Sequence, residues 1–256
     1  MNKRYYILIG IFSYLFFTLG NMPAAKLISM AEKNSAMPVK LYGVHGSVWS
    51  GGADKAIVKG QPPIDNLQWS INPAFLLLAQ LSGEVKASVK QQNIIGNISI
   101  GPSGSIQASD IRARITAAVV QEFIQLPLGE LGGVFNMDID TFEFNQGSLP
   151  VINGTLNWKN AKLTLLETVD LGNIKLNVSP GENNQLIATI KNRQGQLKLD
   201  GNANVDEKKM YSINLRITPE ENASDNTRQS LKMFARRQAD GSYQLKRKGN
   251  LQEFGI

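Results

Sequence analysis

The sequence predicts a transmembrane helix at the N-terminus, followed by a mainly β body: an extended, curved antiparallel sheet with a few short helices. Three observations point there. Tyr5 to Ala25 contains no charged residue, apolar and polar residues alternate with period 2 through most of the remaining chain, and glycine, proline and asparagine turn signals recur at short intervals.

Residues 5–25 come first. At 1.5 Å per residue an uncharged run of that length spans about 30 Å, the hydrocarbon thickness of a bilayer. Lys3 and Arg4 precede it directly, so the positive-inside tendency keeps residues 1–4 cytoplasmic and sends the rest of the chain across. The alternative is a cleaved signal peptide ending after Ala25. The apolar run is long for that, and Pro23 stands where a small residue is wanted before the cleavage point. Residues 26–38 read as a juxtamembrane linker. Its AAKLISMAEK segment, Ala24 to Lys33, has apolar positions at helical spacing and is closed by Asn34 and Pro38.

From residue 39 to 256 the pattern is that of strands. Leu67, Trp69, Ile71; Val85, Ala87, Val89; Ile111, Ala113, Ile115; Phe135, Met137, Ile139; Ile174, Leu176, Val178; and Tyr211, Ile213, Leu215, Ile217 each place apolar side chains on one face only. Three short helices interrupt them. Pro73 to Leu81 follows Asn72 as an N-cap, Ala117 to Ile124 stops before Pro127, and Ser224 to Arg237 starts in a polar cluster. On the last, Arg228, Lys232 and Arg236 fall at i, i+4, i+8. That stripe is a solvated face or a docking site for an acidic partner or anionic headgroups. Gly46-Ser-Val-Trp-Ser-Gly-Gly-Ala is echoed weakly by Gly154-Thr-Leu-Asn-Trp-Lys-Asn-Ala, and a division of the body is expected near Gly129 to Gly133.

Charge and composition exclude several functions. The net charge of +6 sits at the ends: Lys3 and Arg4 on one side, and seven bases against Asp240 between Arg228 and Lys248 on the other, which leaves the body between them close to neutral. Nucleic acid would need a basic stripe with stacking aromatics on that body, so it is not an expected partner. Without cysteine there is no disulfide, thiolate metal site or cysteine nucleophile. The single histidine, His45, leaves no triad and no multi-histidine metal site to assemble. Asp138 and Asp140 share a strand face, a spacing that fits a calcium site, an acid/base pair or simply the wet side of an amphipathic strand. Gly101-Pro-Ser-Gly-Ser lacks the lysine of a phosphate-binding loop. No enzyme, cofactor or metal is expected.

With those residues in place, the chain resembles the type II secretion system protein N family. The likeness rests on the anchor ending Pro23-Ala24-Ala25; on Gly43-Val-His-Gly46-Ser-Val-Trp49-Ser-Gly51; on Leu67-Gln-Trp69-Ser-Ile-Asn-Pro73 leading to Leu81-Ser-Gly83; and on Asp240-Gly241-Ser-Tyr243-Gln-Leu245. Gly52 departs from it, standing where the family pattern has a basic residue. The resemblance implies a single-pass bacterial inner-membrane protein with a periplasmic domain. It would be a non-enzymatic component of the machine that exports folded proteins through an outer-membrane secretin, in contact with other inner-membrane and secretin-side components. The bilayer is met through residues 5–25. The one-sided apolar alternation also fits a rival from a different class, a membrane-anchored lipid-binding or lipid-transfer protein with an apolar β-groove. Trp49, Trp69 and Trp158 are either a recognition surface or packing anchors, and packing is the commoner use of aromatics beside strand glycines.

Overall fold

A computed structural model describes residues 6, 10, 22–34, 39–124, 129–145, 147–164 and 167–251. Most of the expected membrane helix over 5–25 lies outside these residues. Among the described residues no helix is long and apolar enough to cross a membrane. The body is mainly β and antiparallel, with few helices. It divides into two compact units, Met1–Gln91 and Gln92–Ile256.

In the first unit, helix α1 (Ala24–Asn34) follows the expected spacing, and its entry is tied down where Pro23 bridges to Ser47. Strand β1 (Val39–Tyr42) pairs with β3 (Ser50–Val58), which pairs with β4 (Ile64–Ile71), which pairs with β5 (Leu81–Val89). The short β2 (His45–Gly46) folds back on β3. The expected helix over 73–81 is shorter than its sequence suggests. A 3-10 turn covers Pro73–Leu78, with Asn72 Oδ1 accepting the Ala74 N–H at 3.0 Å, and ends because Ala79 is left-handed (φ 54).

The second unit is a meander. Its strands are β6 (Gln92–Ile100), β7 (Ile106–Thr116), β8 (Glu130–Phe144), β9 (Val151–Thr164), β10 (Thr168–Pro180), β11 (Leu186–Arg193), β12 (Leu197–Val205) and β13 (Met210–Pro219). Each pairs antiparallel with the next, through short connections except between β7 and β8, where a helix intervenes. Helix α2 (Ala117–Ile124) packs on β7 and β8, and helix α3 (Asp225–Phe234) leads to β14 (Arg236–Arg237). The last strand, β15 (Tyr243–Asn250), lies between β13 and β14. Gly129 to Gly133 falls at the start of β8, where the register shifts by a bulge between Gly132 and Val134.

The register turns the alternation into continuous apolar rows. One runs Ile94, Ala113, Met137, Leu156, Leu176, Ile190, Gly201, Leu215, Leu245 across nine strands. A second runs Ile111, Ile139, Gly154, Val178, Ala188, Ala203, Ile213 and ends on Arg247. Their large members are half-buried. A buried cluster forms beside α3, where Leu231 and Ala235 close over Leu197, Leu199, Ile217 and Tyr243, and smaller buried spots lie at Ala53 and Ala56 of β3 and at Ala117 and Val119 of α2. This cluster under α3 takes in one end of the first row, where Leu215 and Leu245 pack against it.

Candidate functional site

Six of the family-like positions, Gly46, Trp49, Gly51, Trp69, Pro73 and Gly83, belong to the first unit, on β2 to β5 and their connections. The chain doubles back sharply at Gly46 (φ +77). At Gly51 a side chain would come within 2.9 Å of the Trp69 ring, so the absence of one lets the indole lie across the β2–β3 loop. The Trp69 N–H then donates to the Val48 carbonyl at 3.0 Å, and Ile71 N–H donates to the Trp49 carbonyl at 2.6 Å. Gly83 pairs with Ile71 across the β4–β5 ladder. Trp69 is thus a packing anchor that fastens a loop. Trp69→Phe keeps an aromatic ring but a smaller one and loses the donor, and is expected to cost at least about 1 kcal/mol. Faster amide exchange at Val48 to Ser50 in the variant is the check, and unchanged exchange would contradict the role.

The opposite, polar face of this unit carries a cleft of about 320 Å³ lined by His45, Ser50, Gln68, Ser70, Glu84 and Lys86. Lys86 Nζ meets Glu84 Oε1 at 2.7 Å, and the His45 Nδ1 lies 3.0 Å from the Gly43 carbonyl. No nucleophile is paired with a base here. Gly52 explains itself: a Cβ there would stand 2.8 Å from His45 Nε2, so the imidazole occupies the space that a larger residue would need.

The other two motif positions, Gly241 and Tyr243, shape the turn into β15 in the second unit. Tyr243 is buried, and its hydroxyl donates to the Arg228 carbonyl at 3.3 Å, tying β15 to α3. The charge stripe does not survive as a helical face. Ala235 is extended (φ −138, ψ 147), so α3 ends at Phe234 and Arg236 stands in β14, opposite Gln244. Sheet pairing wins over continued helix, and only Arg228 and Lys232 share the helix. Arg228 Nη2 donates to the Glu220 carbonyl at 2.8 Å, while Lys232 and Arg236 are exposed.

Two features had weak signals in the sequence. The Asn192 side chain donates to the Leu171 and Leu197 carbonyls (2.7 and 2.6 Å) and accepts the Leu199 N–H at 2.6 Å, clamping β10 to β12. Beside it, Asp170, Asn173, Gln194, Glu220 and others line a polar cleft of about 940 Å³. At the start of α3, Ser224 and Thr227 hydroxyls donate to Glu167 Oε1 at 2.6 and 2.7 Å. The Ser224 bond, then the Thr227 bond, holds the Glu167 carboxyl below its ordinary 4.5. A lowered folded value means the contribution is full above 4.5 and lost as pH falls through the lowered value. Acid is therefore expected to loosen α3 in the native chain but to change Glu167→Gln less, as read by thermal unfolding against pH. An equal acid dependence in the two proteins would refute the role.

Arg112 pairs with Asp138 at 3.4 Å, and both are exposed. Among the described residues no group of three or more His, Asp or Glu side chains is placed to hold a metal. A family model described as type II secretion system (T2SS), protein N, matches residues 37–246. No curated protein and no solved structure matches the chain.

Proposed function

We propose, since the chain belongs to the type II secretion system protein N family, that it is a non-enzymatic inner-membrane part of that machine acting through protein contacts. The observation that carries this is the family match, which takes in both the Trp69-fastened loop and the Tyr243 turn. In this reading residues 5–25 span the membrane, residues 1–4 stay cytoplasmic, and the β body faces the periplasm, where it meets inner-membrane and secretin-side components. The motif residues hold loops and turns in place, which suits a body whose surfaces are read by partners. Full-length tagged chain, cross-linked in actively secreting cells, is expected to bring down other type II secretion components. Their absence from the captured material would count against the reading.

A second reading comes from the two half-buried apolar rows of the second unit, which would accept acyl chains, with Arg247 at the margin for an anionic headgroup. Delipidated protein that captures labelled phospholipid would favour it. Protein purified gently and carrying no lipid by mass spectrometry would count against it.

A further inference from the structure

The edge of the second unit at β15 combines two properties that point to one kind of partner. β14 pairs with β15 only at Tyr243 and Gln244, and no other described strand lies on that side. Gln238 N–H donates to the Ser242 carbonyl, so the alternation of an antiparallel ladder turns the main-chain groups of Gln244, Lys246 and Lys248 outward. Beyond β14, the N–H and C=O of Lys246 and Lys248 meet no partner strand among the described residues and form a short open ladder. The same stretch holds Lys246, Arg247 and Lys248, all exposed, with Arg236 and Arg237 alongside. The nearby acid, Asp240, is already engaged by Arg216.

We propose that this edge takes up an extended acidic segment of another protein as an added strand, with acidic residues alternating with apolar ones. This inference rests on the reading that the chain works through protein contacts. Charge and main-chain geometry select the occupant. A second copy meeting edge to edge would set the Lys246 to Lys248 cations against their own kind, which is how natural edges resist self-pairing. An anionic membrane would satisfy the charges but leave the outward main-chain groups without matching partners, whereas a peptide strand satisfies both. The side-chain period of two then sets the pattern. Residues beside Lys246 and Lys248 share the polar face, and the one between them lies on the apolar face beside the aliphatic stem of Arg247, since Ala235 already stands beside Leu245.

The test uses the full chain and a labelled synthetic peptide alternating glutamate with valine. The peptide is expected to bind and to slow amide exchange at Lys246 and Lys248. Lys246→Glu with Lys248→Glu should weaken it by about tenfold or more. A peptide of the same sequence, N-methylated at alternate residues, should lose a similar factor on the native chain, where folding is not in question. Equal binding of the N-methylated peptide would reduce the effect to charge alone and overturn strand addition. Phosphatidylglycerol vesicles that displace the peptide and slow the same amides would assign the edge to the membrane instead. In cells, full secretion by the double variant in a strain that needs the native chain would sink the edge inference while leaving the proposed function standing.

Discussion

Gly172→Ala is expected to destabilise the second unit by about 3 kcal/mol. Gly172 sits at a bulge in β10 with φ +70, a conformation that costs an L-residue energy before any contact is counted. A methyl there would also overlap the Gln194 carbonyl, which cannot retreat because its neighbourhood is fixed from several sides. Asp170 Oδ1 accepts the Gly172 N–H at 2.8 Å, and Asn192 holds both the Leu171 carbonyl and β12. Urea unfolding of the variant should show a clearly lower midpoint. A midpoint equal to that of the native chain would mean that the β10–β12 corner is looser than these bonds imply.

Leu231→Ala comes next, at about 3 kcal/mol. Leu231 is 9% exposed and is the central side chain by which α3 closes over Leu199, Ile217 and Tyr243. The neighbours belong to three strands of one ladder and have little room to collapse into the space left, so the cavity remains. Loss of this contact should also free α3, which is otherwise fastened by the Glu167 cap and the Tyr243 hydroxyl. Limited proteolysis between 224 and 235 is expected to speed up together with the fall in stability. Unchanged cleavage and unfolding would show that α3 does not depend on this side chain.

Strands were legible because their signal is local. Ile174, Leu176 and Val178 declare a face by themselves, and the register then joins them to Leu156 and Ile190 without further information. Helix starts were legible for the same reason, since Asn72 and Ser224 cap their own chain within three residues. What stayed hidden depends on residues far apart in sequence. Nothing near Asn192 announces that its amide will span two strands, and nothing near Trp69 points to the Val48 carbonyl 21 residues earlier. Arg236 illustrates a competition: its spacing from Arg228 and Lys232 fits a helix, and only the pairing with Gln244 converts it to strand. A glycine cluster such as Gly129 to Gly133 suits a linker and a bulge alike, and the register shows the bulge within β8. The family motifs were visible as letters, but their use as loop fasteners needed the third dimension.

Whether this chain serves type II secretion is decided most directly by the fate of secreted proteins in a strain carrying an in-frame deletion of its gene. Folded exoproteins are expected to accumulate in the periplasm while general export into the periplasm continues, and the native chain is expected to restore their release. Normal release in the deletion strain, with the secretion machine assembled as before, would contradict a role in secretion.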